Sequence, residues 1–138
     1  MRIYLDSNVF ISLMNLEIGR EIRGLFIEAE AFFRKAKDEN HTLLLSDLFF
    51  REVGNKTFLN KKEVVDYIVN FGVLIELILL SEQTVDTGEF TIKGLHHLDA
   101  IHAALAKAVK CDCIVTFNKK DFDKINDLIP VFEPSDLL

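Results

Sequence analysis

The chain alternates short, mostly apolar runs with longer stretches whose apolar residues recur at helical spacing. The short runs are Ile3–Leu5, Thr42–Leu45, part of Val73–Leu80, Cys113–Phe117 and Val131–Phe132. Several are continuously apolar, which predicts strands covered on both faces. The longer stretches predict helices. Glu17–Asp38 places Ile18, Ile22, Leu25, Phe26, Ala29, Phe32 and Phe33 on one stripe. Asp47–Lys56 follows Ser46 and Asp47, either of which suits a helix N-cap. Lys61–Asn70 carries Val64, Val65 and Ile68, and Leu98–Val109 carries Leu98, Ile101, Leu105 and Ala108. Ser7 and Asn8 open a further helix directly after the first strand. Strands alternating with helices predict an α/β/α sandwich around a mainly parallel sheet.

Length and composition fit this picture. At 138 residues, 49% hydrophobic and 28% charged, the chain is globular and fits a single domain over 1–138. Twelve phenylalanines without a tryptophan point to core packing. The charge at Asp6 interrupts the opening apolar run too early for a signal peptide. Phe71–Leu80, broken by Glu76, is too short to span a bilayer. Cys111 and Cys113, separated by one residue, read as buried free thiols of a cytoplasmic protein. The net charge of −6 argues against a protein that coats nucleic acid by charge, but not against an enzyme whose acids gather at a metal.

In open α/β sheets, sites form beyond the carboxyl ends of the strands. Polar residues stand there: Asp6-Ser7-Asn8 after the first strand, Ser46-Asp47 after the second, and Thr116-Phe117-Asn118, with Asp121 close behind, after the fourth. Each acid also has an ordinary structural reading. Asp6 suits an N-cap, Asp99 a first-turn partner of a helix dipole, Glu52 a solvated helix face, and Asp121 the cap of a short helix running toward Ile125. Asp47 competes with Glu52 but reads more naturally as a cap. Converging on one crevice, such carboxylates would repel one another unless a cation neutralised them. An all-oxygen set suits a hard divalent ion. Zinc would call for His or Cys, and His41, His96, His97 and His102 show no zinc-ligand spacing; His96 and His102 read as structural or surface residues.

Three segments resemble the motifs of PIN domains. Ile3-Tyr4-Leu5-Asp6-Ser7-Asn8-Val9-Phe10-Ile11 resembles the first motif, Leu98-Asp99-Ala100-Ile101-His102-Ala103-Ala104-Leu105-Ala106 the third acidic motif, and Ile114-Val115-Thr116-Phe117-Asn118-Lys119-Lys120-Asp121-Phe122 the fourth. They occur in the family's order, and the likeness runs from Met1 to about Pro134. The resemblance implies a five-stranded parallel sheet and cleavage of RNA with Mg²⁺ or Mn²⁺. It implies an acidic site of Asp6, Glu52, Asp99 and Asp121, supported by Asn8, Thr116 and Asn118. Many relatives carry an acid where Asn118 stands, so a second metal position would be weaker here. Small members of this kind include VapC-like toxins, commonly homodimeric and inhibited by a partner antitoxin.

The expected reaction is phosphodiester hydrolysis by a metal-activated water, leaving a 5′-phosphate and a 3′-hydroxyl. Lys56, Lys61, Lys62, Lys119 and Lys120 are candidates to grip flanking phosphates. The alternative is a catalytically weak PIN-like module that binds a partner protein. A HAD-type phosphatase would need an acid where Asn8 stands, and a receiver domain would need an acidic cluster with a well-placed later lysine. Neither accounts for the helix bearing Asp99.

Overall fold

The computed structural model describes residues 1–17 and 23–138. Its five strands are β1 (Arg2–Leu5), β2 (Thr42–Leu45), β3 (Leu74–Leu77), β4 (Cys113–Val115) and β5 (Val131–Phe132). They form one all-parallel sheet in the order β3-β2-β1-β4-β5. The chain winds outward from β1 to β3, then returns across β1 to place β4 on its other side. The crevice beyond the carboxyl ends of β1 and β4 is therefore the topological switch point, where open α/β sheets hold their ligands.

The helices are α1 (Ser7–Glu17), α2 (Arg23–Asp38), α3 (Asp47–Thr57), α4 (Lys61–Phe71), α5 (Gly88–Ile92), α6 (His97–Ala108) and α7 (Lys119–Phe122), with 3₁₀ turns at Glu82–Thr84, Asp123–Ile125 and Pro134–Leu137. Of the predicted first long helix, Glu17 ends α1, residues 18–22 lie outside the described residues, and the rest is α2.

Alternation along the strands separates two cores. Ile3, Leu5, Leu43, Leu45, Cys113 and Val115 face α1 to α4. Tyr4, Leu44, Ile114 and Val131 face the layer containing α5, α6 and Phe122 of α7. Most of the phenylalanines fill the first core: Phe10 meets Phe33, Phe49 and Tyr67 edge-on at centroid distances of 6.3, 6.0 and 5.8 Å, a favoured aromatic geometry. On the other face, buried Ala100, Ala103, Ala104 and Ala106 bring α6 close to the sheet.

Local signals set the helix ends. Ser46, not Asp47, caps α3, accepting from the Phe49 amide. Asn60 and Glu63 form a capping box at α4, which ends on Gly72 with φ 99°, a conformation glycine adopts without a Cβ penalty.

Two expectations are corrected. β3 is an edge strand with Leu74 and Leu77 exposed, so its apolar run is not covered on both faces. Cys111 precedes β4 and is only half-buried, while Cys113 is buried; both are free thiols. Among the described residues, no helix is long and apolar enough to cross a membrane.

Candidate metal centre

Asp6 follows β1 immediately, and its backbone amide donates to the Val115 carbonyl at 3.0 Å. This extra bond ties it to β4 and presents its carboxylate at the switch point. The residue is 6% exposed. Its Oδ2 accepts the Thr116 hydroxyl at 2.7 Å. Thr116 Oγ in turn accepts from the Asn118 amide at 2.9 Å and from Asn8 Nδ2 at 3.3 Å. Asn8 Oδ1 accepts from the Phe117 amide at 3.1 Å. Both ends of the Asn8 amide thus staple the segment after β1 to the segment after β4.

A cleft of about 410 Å³ opens here, lined by Asp6, Asn8, Glu52, Lys56, Asp99 and Asn118 among others. Glu52 arrives from the second turn of α3. Its Oε1 accepts from Ser7 Oγ at 2.9 Å and from His102 Nε2 at 2.7 Å. Asp99 enters from the first turn of α6. Asp121 is half-buried within α7 rather than at its cap. It is not among the residues lining the cleft, although its charge acts on Asp99. Asp47 lies outside the cleft on the exposed start of α3, 3.7 Å from Lys61.

Electrostatics record the crowding. Burial, with the charge of Asp6 next, holds the Asp99 carboxyl above its ordinary value. Burial also pushes Glu52 upward, but the hydrogen bond and charge of His102, with the Ser7 hydroxyl, outweigh it and hold Glu52 low. For His102, burial pulls down, while the Glu52 hydrogen bond and the charges of Asp6, Glu52 and Asp99 carry the net shift upward. A cation would relieve the repulsion felt by Asp99.

The donors suit such an ion. Asp6, Glu52 and His102 each offer a ligand atom, all within 4.8 Å of one another, and Asp99 adds carboxylate oxygens to the same cleft. His102 Nε2 is engaged by Glu52, so the groups left to a cation are oxygens, which fits Mg²⁺ or Mn²⁺.

Residues 3–128, nearly the whole chain, match the PIN domain family. The chain belongs to the PIN-domain family. The fold is also similar to that of a chain in the structure of VapBC-1 from nontypeable Haemophilus influenzae. That match has a TM-score of 0.62 and 18% identity, over 98% of this chain and 99% of that one; at this identity the likeness concerns the fold. No curated protein matches the sequence.

In this PIN domain the residue that sequence reasoning missed is His102. It is 1% exposed and stands against the acidic site. The available signal was its spacing: three residues after Asp99 on one helix places both on the same side. Tyr4 and Ser7, which join the same network, carried no comparable signal. Of the five candidate lysines, Lys56 lines the cleft. Lys62 pairs with Asp66 and Lys119 with Asp136, and Lys61 lies near Asp47 and over the Phe50 ring.

Proposed function

We propose that this PIN domain is an endoribonuclease that hydrolyses RNA phosphodiester bonds with Mg²⁺ or Mn²⁺, leaving a 5′-phosphate and a 3′-hydroxyl. The observation that carries the reading is the gathering of Asp6, Glu52 and Asp99 in one cleft at the switch point, although they lie on three separate elements. In this reading Asp6, Glu52 and Asp99 hold the ion from the cleft, and Asp121, outside its lining, completes the acidic set through its charge beside Asp99. The chemistry supplied by a bound ion is Lewis-acid polarisation of the phosphate and a lowered pKa for the attacking water. Thr116 keeps Asp6 oriented, Asn8 holds the β1 and β4 ends together, and Asn118 offers a neutral amide at the cleft wall. Lys56 on the rim takes a phosphate flanking the cut.

The same reading makes the chain the toxin of a type II toxin–antitoxin pair, acting in the cytoplasm as a homodimer and held inactive by a cognate antitoxin. Its support is the family match, together with the fold likeness to a chain of VapBC-1.

The test is cleavage of structured RNA by purified protein with Mn²⁺, with EDTA as control and product ends mapped. Metal-dependent cleavage that disappears in Asp6→Asn and Asp99→Asn supports the reading. Cleavage that survives unchanged in both variants places the chemistry elsewhere. Mn²⁺ binding without cleavage of any RNA favours a PIN-like protein-binding module.

A further inference from the structure

Behind Glu52 lies a closed ring of buried hydrogen bonds. His102 Nε2 meets Glu52 Oε1 at 2.7 Å, and its Nδ1 meets the Tyr4 hydroxyl at 2.6 Å. Tyr4 also reaches Ser46 Oγ at 3.1 Å, and Ser46 Oγ accepts from the Phe49 amide at 3.0 Å. Ser46 caps the helix that carries Glu52, so the ring leaves α3 at its cap, crosses β1 and α6, and returns to α3 two turns later. Tyr4 is fully buried, His102 1% exposed and Ser46 1% exposed. The Tyr4 and His102 rings pack edge to face at 5.6 Å.

The protons in this ring can be counted. Glu52 has no acidic hydrogen to give when it serves as a carboxylate ligand, so the 2.7 Å contact requires a hydrogen on His102 Nε2. Two arrangements of Tyr4 satisfy the rest. In one, Tyr4 donates to His102 Nδ1 and accepts from Ser46. In the other, Tyr4 donates to Ser46 and accepts from Nδ1–H. Both leave Nε2 as a donor and neither leaves it a lone pair for a cation. His102 therefore stands within reach of the site without being a ligand, in the manner of an outer partner that orients a ligating carboxylate.

We infer that His102, backed by Tyr4, is a positioning residue that holds Glu52 for the cation and withholds its own Nε2, keeping the centre all-oxygen. This rests on the reading of Glu52 as a metal ligand given above. Ser7 completes the hold from the other side, because its hydroxyl donates to the same Oε1. Oε2 of Glu52 is then the oxygen left to face the cleft.

Mn²⁺ and Zn²⁺ affinities, measured by titration calorimetry without RNA, test the inference in wild type, Glu52→Gln, Tyr4→Phe, His102→Gln and His102→Leu. Thermal unfolding of each variant checks that it is folded. His102→Gln keeps a donor that can reach Glu52, and Tyr4→Phe keeps the ring shape if the larger change at His102 prevents folding. Mn²⁺ affinity should fall about 10–100-fold in His102→Leu and less in His102→Gln. In Tyr4→Phe, Nδ1 loses its hydroxyl partner and can carry the ring hydrogen in place of Nε2, which leaves a lone pair on Nε2, so the ratio of Zn²⁺ to Mn²⁺ affinity should rise. In a Glu52→Gln background, Tyr4→Phe should no longer change Mn²⁺ affinity. If Glu52→Gln binds Mn²⁺ as tightly as wild type, the ligand reading itself fails. If Glu52→Gln loses Mn²⁺ while folded Tyr4→Phe and His102→Leu bind both metals like wild type, the positioning role fails and the ligand reading stands. Equal loss from Tyr4→Phe in both backgrounds also overturns the role, since that marks general damage.

Discussion

Thr116 gives its only hydroxyl hydrogen to Asp6 Oδ2, at 2.7 Å across the ends of two neighbouring parallel strands. The direction is forced, because Thr116 Oγ already accepts from the Asn118 amide and from Asn8 Nδ2. One carboxylate oxygen of Asp6 is thereby fixed, and the other lies 3.5 Å from Ser7 Oγ. Thr116 is completely buried, so it bears on the cleft only through the groups it bonds, Asp6, Asn8 and Asn118.

Thr116→Val keeps the shape of the side chain and removes the hydroxyl. It leaves buried hydrogen-bonding groups without a partner, which costs roughly 1–3 kcal/mol. It also frees the Asp6 carboxylate, so Mn²⁺-dependent cleavage should fall about 10–100-fold. Urea denaturation and initial cleavage rates measure the two effects, and Thr116→Ser should restore most of both. A valine variant as active as wild type would remove Thr116 from the proposed site.

Asp99 links pH to stability. Its carboxyl sits above its ordinary value because of burial, then the charge of Asp6. The folded state therefore holds this proton to higher pH than the unfolded chain does. Its contribution to stability is fully present below the unfolded pKa and is lost as pH rises through the folded one. Metal-free Asp99→Asn should accordingly have a higher Tm than wild type at neutral pH, and the gap should close on acidification below about pH 4. Cleavage in the same variant should fall by more than the roughly 10–100-fold expected for an outer partner of a metal ligand. A lower neutral-pH Tm for the variant contradicts the account of crowded charge.

A divalent cation should stabilise the fold by neutralising the cleft. At a concentration 100 times its Kd it adds about 2.7 kcal/mol, roughly 10 °C in Tm for a chain of this size. Thermal scans in Mn²⁺, against EDTA and KCl of matched ionic strength, measure the shift. Asp6→Asn combined with Asp99→Asn should abolish the response.

Phe58 ends α3 with φ 63° and is 86% exposed. A bulky residue in the left-handed region is strained, and its ring has little packing to compensate. Phe58→Gly should raise stability by about 1 kcal/mol without changing the cleavage rate. Chemical denaturation checks the gain, and a loss of stability would mean that the exposed ring is held by contacts in solution.

Most of the architecture was legible without coordinates, because strand and helix periodicity are properties of neighbouring residues. The run Ile3–Leu5 and the stripe on Leu98–Val109 each declare their element locally. The covering of β3 was not legible, since Leu74 and Leu77 look like core residues until the strand order puts them at an edge. Asp6 and Asp99 were candidates from their places at a strand end and a helix start. Glu52 and Asp47 could not be separated that way; the rotation of α3 sends Glu52 inward and leaves Asp47 in solvent. His102 was read as structural or surface; its spacing put it on the side of α6 that carries Asp99, but only the packing of β1 and α3 brings Tyr4 and Glu52 there.

The sequence by itself determined the α/β order, the motif resemblance and the acids available for a metal centre, because these follow from local pattern. Only the tertiary structure decided which acids share a cleft, that Thr116 serves Asp6, and that His102 stands behind Glu52. The last two relations join residues 110 and 50 positions apart. They depend on β1 lying between β2 and β4, where carboxylates brought within a few ångströms must share donors or a cation.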